Sequence, residues 1–310
     1  MAPAPEWWGN RVDANVPELR GMDKARQDLA QLLAASELLE PGAFSPRTVA
    51  LDELDYIHEV LRSGGLRLRV EARACRELVD RLDALNRQYC AELLGRLQAG
   101  SLTPAELRAE LNRHTGYTGS STSLHLEHEP VDRLVDGMLG LGESAVEPTF
   151  YDRDYVHLED TPVRVLLDLI DHVPLSAGQC FVDLGSGLGR AAILVHWLTG
   201  ATVEGIEVQP AYHARAEALA ASLGLERVHF VLGDAAQADL SQGDVFYLFT
   251  PFKGRILRAV WATLAQQARL RPLTVCTYGA VSLAAAQQPW LRPAEGRGPH
   301  EFALAIWRAG

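Results

Sequence analysis

The chain has 310 residues, 47% apolar and 22% charged, with a formal net charge of −11. That length suggests two domains or one enlarged one, and the apolar content is ordinary for a chain with a sizeable core. The acidic balance argues against unaided non-specific binding to nucleic acid, which needs basic surface; a local basic patch, a small molecule or a basic protein partner stays open.

The four cysteines, Cys75, Cys90, Cys180 and Cys276, have no C-x-x-C spacing and no histidine cluster beside them. A zinc site is therefore not expected. Cys180 and Cys276 fall in predicted buried strands, where cysteine acts as a small hydrophobe. The pattern suits a reducing cytoplasm. The opening Met1–Trp8 lacks a basic region followed by an apolar core, so no signal peptide is expected. No apolar run approaches the ~18 residues of a membrane span.

Residues 1–20 are Pro-rich and irregular, and Trp7 and Trp8 read as simple packing residues rather than as an anchor on a neighbour. Apolar spacing then predicts helices over 22–39, 45–61 and 66–97, ended by Glu40-Pro41-Gly42, Ser63-Gly64-Gly65 and Gly100. Thr103-Pro104-Ala105-Glu106 has the pattern of a capping box with proline at the first helical position, and predicts a helix to about His114. A small-residue loop, 116–123, precedes another helix over 130–139, and Gly140-Leu141-Gly142 marks a joint. His114, His125 and His128 read as solvated side chains rather than ligands, because a metal would need further ligands and a dry pocket.

The stretch from Glu147 to Pro162 is extended, aromatic and polar. Thr161 is expected to cap the helix that follows, with Pro162 at its first position. Phe181-Val182-Asp183-Leu184 then ends an apolar run in an acid, and Gly185, Gly187 and Gly189 alternate before a helical pattern begins at Arg190. This predicts a buried strand, a sharp turn and a helix N-terminus facing a ligand.

The spacing differs from the dinucleotide fingerprint G-x-G-x-x-G, whose third glycine position holds Arg190. Asp183 would repel a pyrophosphate and suits a cation or amine. S-adenosylmethionine carries an ammonium and a sulfonium and no phosphate. The pattern D-x-G-x-G-x-G resembles motif I of the class I S-adenosylmethionine-dependent methyltransferases.

Further along, strand 202–207 ends in Glu207, where a nucleotide fold places a carboxylate for ribose hydroxyls. Strand 228–232 ends at Gly233-Asp234-Ala235. Asp183, Glu207 and Asp234 thus fall at the C-terminal ends of three consecutive strands, the edge where open α/β sheets bind ligands. The resemblance implies that Asp234 and the Ala235 N–H meet the adenine. It also implies a cofactor set that includes Ser186, Val208, Thr250 and Pro251, and that Tyr155 and Thr161 line the methionine end.

Thr250-Pro251-Phe252-Lys253 follows strand 244–249 at the family's motif IV. In amine and amide methylases of nucleic acids that motif reads (D/N)-P-P-(Y/F/W), so this chain departs from it and a nucleic-acid acceptor loses support. Strand 273–279 and a final strand 302–307 complete a sheet similar to the family's seven-stranded one, with its last strand antiparallel. In that topology the loop 296–301 opens on the cofactor edge, and His300 and Glu301 reach towards a substrate.

The fold implied is a Rossmann-like, doubly wound α/β domain over 146–310, preceded by an all-α domain over 1–145. The helical domain is expected to select substrate or to form a lid or a dimer contact. The activity implied is methyl transfer from S-adenosylmethionine to a small molecule or a protein side chain, without metal or membrane. The closer subfamily stays open; the turn and the Thr-Pro segment look somewhat like non-SET lysine methyltransferases at the level of fold. Tyr155, His157, Tyr278 and His300 are candidate proton acceptors. Two alternatives remain: a non-catalytic cofactor-binding interaction protein, and an NAD-dependent oxidoreductase, which the glycine spacing and Asp183 disfavour.

Overall fold

The computed structural model describes residues 16–63, 68–117, 119, 129–142, 146–149 and 153–310. Trp7, Trp8, His125 and His128 lie outside the described residues. The chain divides into two compact units, 1–91 and 92–310.

The first unit contains α1 (Val16–Ala34), a 3-10 turn (Ser36–Leu39), α2 (Phe44–Ser63) and most of α3 (Arg69–Gln98), which continues into the second unit. Its core gathers Leu29, Leu38, Leu54, Ile57, Leu61 and Leu82. A single helix over 22–39 was expected; instead α1 ends at Ala34 and the chain tightens into the 3-10 turn. The buried Arg47 guanidinium rewards that break. It donates to Leu38 O (3.3 Å), Glu40 O (2.6 Å), Pro41 O (3.2 Å) and Asn86 Oδ1 (2.7 Å). It thereby satisfies carbonyls that a helix end leaves without partners.

The second unit opens with α4 (Pro104–Arg113), which carries the expected capping box between Thr103 and Glu106. Then come α5 (Pro130–Leu139) and α6 (Val163–His172). The sheet strands are β1 (Cys180–Leu184), β2 (Thr202–Glu207), β3 (Val228–Leu232), β4 (Val245–Phe249), β5 (Leu273–Tyr278), β6 (Arg292–Pro293) and β7 (Ala305–Ala309). The intervening helices are α7 (Arg190–Thr199), α8 (Pro210–Ser222), α9 (Gly254–Leu270) and α10 (Val281–Ala285). The sheet order is β3-β2-β1-β4-β5-β7-β6, parallel through β5, with β7 antiparallel to β5. This is the seven-stranded α/β fold, with antiparallel closure, that the sequence implied.

Packing explains the composition of α7. It is apolar nearly all round because it touches β1 and β2 as well as α4, α5 and α6. Elsewhere Ile256, Val260, Trp261 and Leu264 of α9 join Val182, Leu184, Phe246, Leu248 and Val275 in one core.

Three local expectations are corrected. The last strand begins at Ala305, not Phe302: Thr277 pairs with Ala305, while the Gly279 N–H takes Glu301 O (3.1 Å) and turns the chain there. Thr161 does not cap α6, which starts at Val163. The Val163 N–H is met instead by Asp132 Oδ1 of α5 (2.8 Å), and the Thr161 hydroxyl lies 3.0 Å from Tyr247 Oη. His114 is not solvated; it is buried, with Nε2 3.2 Å from Glu110 Oε1.

Candidate functional site

β1 and β2 run side by side, and the acids at their ends are treated differently by their surroundings. Glu207 accepts from the Gly187 N–H (2.8 Å, Oε2) and from the Gln209 N–H (2.7 Å, Oε1). One carboxylate thus grips the glycine turn and its own exit into α8. Burial raises its pKa against the lowering effect of those N–H groups. Asp183 is buried, and its Oδ2 has no hydrogen-bond partner; nor has Ser186 Oγ in the turn. Burial, reinforced by the Glu207 charge, pushes Asp183 up to about 7.

The glycines have separate jobs. Gly185 (φ +92°) is the point of closest approach, where an added Cβ would sit 2.2 Å from Pro251 Cβ. At Gly187 (φ +54°) the neighbour is Leu158 Cδ1, at 2.4 Å. Gly189 (φ +86°) lets the turn pack on Phe230 of β3 and Ala216 of α8.

A cavity of about 530 Å³ opens at this edge. Of the residues singled out in the sequence, Tyr155, His157, Gly185, Glu207, Val208, Gly233, Ala235 and Pro251 line it. Thr161, Asp183, Ser186, Gly187, Gly189, Asp234 and Thr250 are not among its lining residues, and neither are Tyr278 and His300. Asp183 lies one strand from Glu207 and interacts with its charge. Asp234 holds its own turn by accepting from the Ala236 N–H (2.9 Å). Thr250 adopts φ +39°, a left-handed conformation rare outside glycine, at the hinge after β4. Tyr278 is buried against Phe249, with ring centroids 4.8 Å apart, and burial pushes its phenol up to about 12. His300 is exposed, its Nδ1 taken by the Phe302 N–H (3.0 Å). In the loop before β7, Arg297 donates to buried Asp168 of α6 (2.5 Å).

The roof is a strap, 153–160. The Val156 N–H donates to Pro251 O (3.1 Å), the Lys253 N–H donates to Asp154 O (2.7 Å), and Tyr155 bridges Phe252. Val156 and Leu158 face the cavity from this strap, while Phe249 and Phe252 line it from the β4 end. Gln209 and Tyr212 line it from the start of α8, and Gln209 Oε1 holds the Thr149 N–H (2.9 Å). Sequence reasoning singled out Phe252 but passed over the others. The alternation of apolar Tyr155, Val156 and Leu158 with polar His157 and Glu159 was the available signal for the strap.

A buried network secures the turn from behind. Arg190, first in α7, is held by Asp132 (3.0 Å) and Asp136 (2.6 Å) of α5, and also donates to the Thr161 carbonyl. Among the described residues no group of three His, Cys, Asp or Glu side chains could hold a metal ion, and no helix is long and apolar enough to cross a membrane.

A buried carboxylate with one unpartnered oxygen beneath a glycine turn fits a ligand that brings N–H donors or positive charge, and is unfavourable to a pyrophosphate. No family model and no curated protein matches the chain in sequence. Solved structures match it by fold, each over half of the chain or less. An RNA methyltransferase from Salinibacter ruber in complex with S-adenosyl-L-homocysteine is 23% identical over 49% of this chain and 92% of its own, with a TM-score of 0.36. A SAM-dependent methyltransferase from Aquifex aeolicus is 17% identical over 48% of this chain and 93% of its own (TM-score 0.38). One from Geobacter sulfurreducens, with S-adenosyl-L-homocysteine, is 29% identical over 38% of this chain; the match spans under half of that protein, 47% (TM-score 0.32).

Proposed function

We propose that this protein is an S-adenosylmethionine-dependent methyltransferase acting on a small molecule or a protein side chain. The observation that carries the reading is Asp183, a buried carboxylate with an unpartnered oxygen, one strand from Glu207 at the cavity. An ammonium supplies what Asp183 lacks. Glu207 keeps lone pairs for ribose hydroxyls beyond the two N–H groups it accepts. Gly233 and Ala235 offer main chain to the adenine, and Asp234 fixes the turn that presents them.

When bound, the cofactor supplies an electrophilic methyl group. What the chain adds is alignment and exclusion of water. Tyr155, Leu158, Phe249 and Phe252 furnish apolar walls. Of the four candidate proton acceptors, Tyr155 and His157 line the cavity and Tyr278 and His300 do not. Tyr278, raised to about 12, keeps its proton at neutral pH. The absence of an acid or amide at Thr250 disfavours a nucleobase amino group as acceptor.

Calorimetry with S-adenosylhomocysteine tests the reading. Binding is expected, weakened about tenfold or more by Glu207→Gln, which loses charge-assisted hydrogen bonds. No binding to the unaltered chain defeats the proposal. Transfer of radiolabelled methyl into a fractionated cell extract then tells metabolite from protein.

A further inference from the structure

We propose that the β4 end of the cavity is a subsite for an anionic group, a carboxylate or phosphate, carried on an otherwise apolar or aromatic ligand. Arg153 and Lys253 both line the cavity. They flank the Tyr155–Phe252 bridge, and the Lys253 N–H to Asp154 O bond (2.7 Å) ties their two segments together. The strap and the loop after β4 thus bring two cations to one rim, from positions a hundred residues apart in the chain.

Among the described residues nothing pairs with their charge. The neighbouring carboxylate, Asp154, is turned to Arg255, whose N–H and guanidinium lie 3.3 and 3.5 Å from its Oδ2. Neither Arg153 nor Lys253 has an ion-pair partner among the described residues. The acids lining the cavity are Glu207, engaged by the Gly187 and Gln209 N–H groups, and Glu159, six residues beyond Arg153 along the strap.

Composition sharpens the point. The chain has two lysines against 27 arginines, and one of the two stands at this rim. A chain of net charge −11 repels anions at long range, so two cations without an ion-pair partner among the described residues, over an aromatic wall, form a local exception. Arginine offers a planar fork to an oxyanion and lysine a mobile point charge, a combination suited to carboxylate or phosphate. The same rim repels a lysine or arginine side chain. Only in calling this ligand the methyl acceptor does the inference rest on the proposed function.

Calorimetry on the full chain saturated with S-adenosylhomocysteine, using phenyl phosphate, benzoate, benzyl alcohol and phenethylamine as probes, tests the subsite. The two anions are expected to bind at least about tenfold more tightly than the other probes. Arg153→Gln and Lys253→Gln should each weaken them about tenfold, the worth of one charge-assisted hydrogen bond, with S-adenosylhomocysteine affinity unchanged. The stronger anion tells phosphate from carboxylate. Acylation read by mass spectrometry gives a second measurement: the better anion should slow modification of Lys253 and leave Lys24 unaffected. Equal binding of neutral or cationic probes, no anion binding, or anion binding indifferent to both substitutions overturns the subsite. If the anions bind as expected to a chain that fails to bind S-adenosylhomocysteine, the cofactor reading falls and the subsite stands.

Discussion

Arg190 donates to Asp132 across 3.0 Å with both side chains buried, and Asp132 in turn accepts from the Val163 N–H. One carboxylate therefore joins the starts of α6 and α7 to α5. Asp132→Ala would strand part of a buried guanidinium and two backbone donors, the Val163 and Glu129 N–H groups. A loss of about 3 kcal/mol is expected, at the lower end for a broken buried pair because Asp136 and the Thr161 carbonyl remain. Urea unfolding measures it; an unchanged midpoint would show the network to be dispensable.

Asp183 makes stability depend on pH in the ligand-free protein. Its folded pKa, about 7, is raised above the ordinary 3.8. The folded state therefore holds the proton that the unfolded state releases, and stability falls as pH rises from about 4 through 7. Asp183→Asn should flatten that slope. An ammonium beside Asp183 would favour its ionised form, so S-adenosylhomocysteine should release a proton on binding near pH 6. Calorimetry in buffers of different ionisation enthalpy reads this directly; heats independent of buffer would contradict it.

Gly185 and Gly187 should differ in tolerance. An alanine Cβ at Gly185 meets the ring of Pro251, which cannot move aside without the β4 loop, at φ +92°. At Gly187 the obstacle is the end of the Leu158 side chain. Gly185→Ala is expected to abolish S-adenosylhomocysteine binding. Gly187→Ala should weaken it, with Leu158→Ala restoring part of the loss. Absence of any coupling in that double-mutant cycle would place Leu158 off the turn.

Arg47→Met removes the donor shared by three carbonyls of the first unit while keeping much of the side-chain volume. Leaving these acceptors, one buried and two part-buried, without their donor should cost about 2 kcal/mol. Thermal unfolding followed by circular dichroism checks it, and a melting temperature equal to the parent's would mean that water replaces the guanidinium.

Much of this was legible because it is local. An apolar run closed by an acid and alternating glycines marks β1 and its turn; Thr103-Pro104-Ala105-Glu106 marks the start of α4. What escaped is long-range. Asp132 took over the capping role assigned to Thr161 from 31 positions away in the chain. Arg47 broke an expected helix by collecting its carbonyls, and Phe230 fills the space left by Gly189 and Gly205. Arg153 carries no motif, nothing in the motif IV stretch sets Lys253 apart, and only the pairing of strap and β4 loop makes them neighbours.

That pairing also orders events in time. The strap and the loop after β4 are joined across about a hundred residues, as the Arg255–Asp154 separation of 101 records. Closing so long a loop is entropically costly until the intervening strands have already brought the ends together. The roof should consequently form after the parallel sheet and open before it. Amide hydrogens of Val156 and Lys253 should then exchange by local opening, while those of Phe181 and Val182 wait for unfolding of the sheet.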